Sequence, residues 1–134
     1  MIFVDTNYFL RFLLRAENRS QHEAAKKVFL EAAGGKVELF TSLIVIFEIY
    51  WVLSSFYGQK KAEITEILLN ILKMEFISIP ERLLLEEALK TFAENNISLE
   101  DSYNLACAKH SKAEDFLTFD RKLKRLFSGK KILT

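Results

Sequence analysis

Four carboxylates are placed where chemistry is possible. Asp5 closes the apolar run "MIFVD", and Asp120 closes "FLTFD" just before the bases Arg121, Lys122, Lys124 and Arg125. Asp101 lies at the front of "LEDSYNLACAKH", and Glu48 is the only charged residue between Glu38 and Lys60. Each has an ordinary explanation. An aspartate before a helix is a good N-cap, worth about 1 kcal/mol. Acids favour the first turn of a helix, and a basic run is commonly a solvated face. Glu48 is the hardest to explain so, because its helical neighbours would be Ile44, Val45, Trp51 and Val52. An unpaired carboxylate there carries a heavy desolvation cost. It needs a cation, a protonated state or a mouth to water, unless it is hidden in a salt bridge or at a dimer surface.

Taken together the four suggest more. Carboxylates packed at one place repel unless cations share the site. Oxygen-only ligands select hard ions, Mg²⁺ or Mn²⁺. A carboxylate-held ion pair about 3.5–4 Å apart serves phosphodiester hydrolysis by making hydroxide from water and neutralising the leaving oxygen, with no side-chain nucleophile. No His/Cys set with zinc spacing competes. His22, expected to be exposed on a polar helix, and His110 read as bystanders.

The elements that must position these acids follow from periodicity. "MIFVD" reads as a buried strand, and "TNYFLRFLLR" follows with helical spacing. "SQHEAAKKVFLEAA" opens with Ser20 and Glu23 in capping-box spacing and stops at Gly34 and Gly35. "VELFT" and "EFISI" read as strands. "SLIVIFEIYWVLSSFYG" is rich in β-branched residues but has a helix's length. "KKAEITEILLNILKM" is an amphipathic helix. Pro80 is expected to start the helix "ERLLLEEALKTFAENN". Ser98 caps a helix with Glu100 and Asp101 in its first turn, where Asn104, Leu105 and Ala108 fall near the Asp101 face and Glu100 points to solvent. "DFLTF" reads as a fourth strand and "KKILT" as a short fifth. The alternation predicts an α/β fold with a mainly parallel sheet, whose ligands gather at the carboxyl ends of the strands.

The bulk properties set bounds. A chain of 134 residues, half of them hydrophobic, reads as one domain spanning 1–134 with a core of its own. The net charge of +1 announces no nucleic-acid binder by itself, so phosphate binding must come from local clusters. One cysteine, Cys107, excludes a disulfide framework and fits a reducing, cytoplasmic compartment. No targeting segment is recognisable at the start, and the longest apolar run is broken by Glu48, so no membrane helix is expected. Four glycines and one proline leave little room for flexible linkers.

In "VDTN" at 4–7, Glu48 in its apolar helix, Asp101 in "LEDSYNLACA" and "LTFDRKL" at 117–123, the chain resembles the PIN-domain ribonucleases. Its size looks most like the VapC toxins of bacterial and archaeal toxin–antitoxin pairs. The resemblance covers essentially the whole chain, in order. It implies a three-layer α/β/α sandwich, Mg²⁺- or Mn²⁺-dependent RNA cleavage with one or two ions per site, a homodimer, and a small antitoxin that blocks the acidic pocket. Carried over, Asp5, Glu48, Asp101 and Asp120 are the acidic quartet. Thr6 and Asn7 support Asp5, Thr118 presents a hydroxyl, and Asn104 stands beside Asp101. Tyr103 departs from the smaller residue the family often has there and would narrow the pocket or stack on a base. Arg121, Lys122 and Lys124 would meet the RNA backbone, with Arg11, Arg15 and Arg19 as further phosphate contacts. Tyr8, Phe9, Phe12, Trp51, Phe56 and Tyr57 are expected in core, dimer or antitoxin surfaces.

Three rivals stand beside this. A non-catalytic RNA- or protein-binding module of the same fold would have no need to keep four costly carboxylates. A phosphatase or receiver-type protein usually wants an acid adjacent to the first, which "DTN" lacks. A DNA-directed nuclease of related architecture is separated only by comparing RNA and DNA cleavage.

Overall fold

The computed structural model describes residues 1–14 and 17–129, which form two compact units, Met1–Arg82 and Leu83 onward. The first unit carries the sheet. Three short strands, β1 (Ile2–Phe3), β2 (Leu39–Phe40) and β3 (Ile77–Ser78), pair in parallel in the order β1-β2-β3. Ile2 lies opposite Leu39, and Leu39 opposite Ile77. Parallel neighbours need long crossovers, usually helical. Here α1 (Thr6–Leu13) and α2 (Arg19–Ala33) make the first, and α3 (Leu43–Trp51) and α4 (Lys61–Leu72) the second. This alternation with parallel pairing is the expected α/β class with a mainly parallel sheet.

Leu39 of the central strand β2 and Ile77 of β3 are almost inaccessible. By contrast Ile2 and Phe3 are about half exposed, where a buried strand was expected, and only Val4 of that run is buried. Among the described residues β1 pairs on one side only, as β3 does, and unlike Ile77 of β3 its two residues stay half open.

Local signals decide most helix limits. Ser42 caps α3 through its Oγ, which accepts the Val45 N–H at 3.2 Å. The helix continues through one π turn, Val52–Phe56, and stops at Gly58 with φ +62°. Its β-branched residues are accommodated because Val45, Ile46, Ile49 and then Leu53 all bury. Asn18, rather than Ser20, caps α2: its side-chain oxygen accepts the Gln21 N–H at 3.0 Å. Pro80 does not open the next helix. Glu81 intervenes at φ +56°, and α5 (Arg82–Glu94) begins only at Arg82. The Arg82 guanidinium donates to the carbonyls of Leu72 and Ile77, which closes the end of α4 against β3.

The second unit holds most of α5, then α6 (Leu99–His110) and α7 (Arg121–Phe127). Leu85, Ala88, Leu89 and Phe92 are buried at helical spacing, as are Leu99, Leu105, Ala106 and Leu123. The expected strand "DFLTF" is not one. Lys124 Nζ donates to the Phe116 carbonyl at 2.9 Å, and the Phe116 ring packs on Phe127 at 5.6 Å. The segment is thus tied to α7, and Leu117 and Phe119 are fully exposed. The run "KKILT" lies outside the described residues, as does Arg15. No helix among the described residues is long and apolar enough to cross a membrane.

Leu68 is inaccessible in α4 whereas Leu30 of α2 is 62% exposed. Leu68→Ala is expected to lower stability by about 2–5 kcal/mol. Leu30→Ala should change it by less than about 0.5 kcal/mol. Urea denaturation of the two variants measures both.

Candidate functional site

The carboxyl ends of β1 and β2 are locked together. Val4 N–H donates to the Phe40 carbonyl at 2.8 Å, and the buried Thr41 hydroxyl donates to the Val4 carbonyl at 2.7 Å. Asp5 and Ser42, the next residues on each strand, are the caps of α1 and α3, which pack on each other.

Asp5 caps α1 with Oδ1, which accepts the Thr6 N–H at 2.7 Å. The Thr6 hydroxyl donates to Glu48 Oε2 at 2.6 Å. One buried threonine therefore holds one oxygen of each carboxylate. Asp5 Oδ2 and Glu48 Oε1 have no hydrogen-bond partner among the described residues, and both acids are exposed. The expected desolvation of Glu48 is absent. Val45 is buried and Val52 half-buried, but Ile44 and Trp51 on the same helix are 69% and 64% exposed. Glu48 thus stands on a wet face and needs no cation to exist; a mouth to water suffices.

In the second unit Ser98 caps α6, with its Oγ accepting the Asp101 N–H at 3.1 Å. Asp101 is half-buried in the first turn, and Asn104 and Glu100 are exposed. Beneath them Ser102 is sealed, its hydroxyl donating to the Ser98 carbonyl at 2.9 Å. Tyr103 is half-buried. Asp120 ends no strand. It caps α7, with Oδ1 accepting the N–H groups of Lys122 at 2.9 Å and Leu123 at 3.1 Å. Thr118 Oγ1 in turn accepts the Asp120 N–H at 3.0 Å.

The basic run is partly spoken for. Lys122 Nζ donates to the Asn96 carbonyl at 3.1 Å, and Lys124 Nζ reaches Asp115 Oδ1 at 2.5 Å. That bond, with the Phe116 N–H, holds the Asp115 carboxyl below its ordinary range. Arg121 and Arg125 stay exposed. In the first unit Arg11 Nε donates to Gln21 Oε1 at 2.7 Å. His22, expected in solvent, is buried: its Nδ1 lies 3.0 Å from the Arg11 carbonyl and its ring stacks on Phe12.

Among the described residues no three His, Cys, Asp or Glu side chains lie close enough to hold an ion together. What the structure does bring together is Asp5 and Glu48. Their chemistry fits Mg²⁺, which is often held by one or two carboxylates plus water and substrate phosphate. Thr41 and Gln21, which fix the strand end and brace Arg11, went unremarked in the sequence. Only the position of Thr41 at a strand end, before a helix cap, hinted at its role.

The PIN domain family matches residues 2–127, and the chain belongs to that family. PIN domains are generally metal-dependent nucleases and generally bind RNA. No curated protein and no solved structure matches the chain.

Replacing Thr6 by Val removes the one hydrogen bond that the Glu48 carboxylate makes among the described residues and is expected to cost about 0.5–1.5 kcal/mol, with Thr6→Ser near wild type, by urea denaturation. The Asp115–Lys124 pair gives a pH prediction. Its stabilisation is small because both groups are exposed. It is present above the unfolded carboxyl pKa and is lost as pH falls through the lowered folded value. A carbon-detected NMR titration should place the Asp115 midpoint below the ordinary carboxylate value, and Lys124→Ala should raise it.

Proposed function

We propose that this PIN domain protein is a metal-dependent endoribonuclease that hydrolyses RNA phosphodiester bonds, the VapC-like toxin of a toxin–antitoxin pair. The observation that carries the reading is the Thr6 bridge, which leaves one free oxygen on each of Asp5 and Glu48. In this reading residues 1–134 act as one PIN-like domain. Asp5, Glu48, Asp101 and Asp120 hold Mg²⁺ or Mn²⁺, one or two ions. Thr6, Asn7, Thr118 and Asn104 support them. An ion held there would lower the pKa of a water and neutralise the leaving oxygen. The chain's own work is positioning: Thr6 fixes the two carboxylates, and Ser98 fixes the turn that carries Asp101. Arg11, Arg15, Arg121, Lys122 and Lys124 hold the RNA backbone, which positions substrate without reading sequence. Lys122 and Lys124 must then exchange their present carbonyl and carboxylate partners for phosphates. The protein works in the cytoplasm as a homodimer, neutralised by a small antitoxin.

A second reading, an inactive RNA- or protein-binding module, draws on a specific observation: no three acids cluster among the described residues. Cleavage of a mixed single-stranded RNA pool in Mg²⁺, Mn²⁺ or chelator separates the two. Wild type is expected to cut only with metal, while folded Asp5→Asn and Asp101→Asn are expected to be inert. Thr6→Val is expected to cut about 10–100-fold more slowly, the usual cost of losing a group that orients metal ligands. An active, folded Asp5→Asn protein would contradict the assignment.

A further inference from the structure

Beside the Asp5–Thr6 cap lies a cleft of about 310 Å³ between α1 and α2, lined by Asn7, Tyr8, Arg11, Gln21 and Ala24. The first three share one face of α1, at i, i+1 and i+4. Among the described residues the lining comprises one cation, two carboxamides, one phenol ring and one methyl, and no carboxylate. Its volume is at the small end of the about 300–1,000 Å³ typical of ligand sites, room for one small planar ligand and a charged group.

The arginine is held in an unusual way. Consecutive residues of α2 grip both ends of it. Gln21 Oε1 accepts from its Nε at 2.7 Å, and the buried His22 donates through Nδ1 to its carbonyl at 3.0 Å. Both Nη groups have no acceptor among the described residues, and no acidic side chain there pairs with them. A surface arginine needs no such bracing. One held by Nε with both Nη groups open is arranged to meet the oxygens of an anion, with its rotamer entropy already spent. Tyr8, 44% exposed, offers a ring in the same cleft. Gln21's remaining N–H₂ and the Asn7 carboxamide offer donors and an acceptor of the kind that meet a base edge.

We propose that the α1–α2 cleft is a nucleotide subsite. Arg11 grips a backbone phosphate of single-stranded RNA, and Tyr8 stacks on the adjoining base. The inference rests on the ribonuclease reading for its substrate. It adds a place for one nucleotide directly beside the residues that hold Asp5 and Glu48. Gln21 is a positioning residue, acting through Arg11.

The test is binding of a fluorescein-labelled single-stranded RNA of mixed sequence, in chelator so that no cleavage intervenes. Arg11→Ala is expected to weaken binding roughly tenfold or more, the usual loss of hydrogen bonds to a charged group. Tyr8→Ala is expected to weaken it roughly fivefold or more, while Tyr8→Phe keeps the ring and stays near wild type. Lys26→Ala removes the same charge from the exposed face of α2 and should weaken binding less than about threefold. Circular dichroism confirms that each variant is folded. The proposal is overturned if Arg11→Ala and Tyr8→Ala bind as wild type does, if Lys26→Ala loses as much as Arg11→Ala, or if wild type prefers a glutamate-rich peptide to RNA. The same preparations assayed with Mg²⁺ keep the two claims apart. A wild type that binds through Arg11 but never cuts contradicts the nuclease reading alone. A wild type that cuts while Arg11→Ala binds unchanged contradicts the subsite alone.

Discussion

The hydroxyl of Thr6 is the contact on which the account depends. It sits three residues past the end of β1 and reaches forty-two residues along the chain to Glu48. Its backbone N–H serves Asp5 at the same time. Two like charges are thereby held near each other by a single neutral residue, a placement that a hydrogen bond of about 1 kcal/mol cannot impose alone. The sheet does the rest. The Thr41 hydroxyl and the Val4 N–H join the ends of β1 and β2, so the caps of α1 and α3 must leave the sheet side by side. The strands are only two residues long, yet Leu39 and Ile77 bury almost completely, and that gives the strand ends a fixed base.

The same helix serves two purposes. The N-terminus of α1 presents Asp5 and Thr6, and its first two turns present Tyr8 and Arg11 beside α2. Burial of Phe9 and Leu10 against α2 leaves those polar neighbours on the open side. His22 shows how closely the two helices are matched. A histidine in a polar stretch is buried because the last turn of α1 has a free carbonyl to receive it and Phe12 to stack on it.

Much of this was readable from residue types. Ser98 caps the helix it was expected to cap, and strand–helix alternation gave the parallel sheet. The family resemblance carried by "VDTN", Glu48, "LEDSYNLACA" and "LTFD" is matched by the PIN domain over residues 2–127. What was not readable turned on which of several competing neighbours makes each contact, and on which side chains the fold leaves in water. Ser20 with Glu23 has the right spacing for a capping box, but Asn18 precedes it and takes the Gln21 N–H first. Pro80 suits a first helical position, but Glu81 in the left-handed region postpones the helix. "DFLTF" has a strand's composition, but its backbone is engaged by Lys124. Glu48 looked buried because every neighbour in sequence is apolar. Composition cannot say which apolar side chains a helix leaves in water, and here Ile44 and Trp51 are among them.

We propose that Asp5, Glu48, Asp101 and Asp120 hold a divalent ion. Paramagnetic line broadening by Mn²⁺, added far below one equivalent to isotopically labelled protein, tests it without substrate. Signals around these four acids are expected to broaden first and together, and Asp5→Asn is expected to suppress the effect at Glu48. Broadening centred on other acids, or unchanged in the variant, would contradict it.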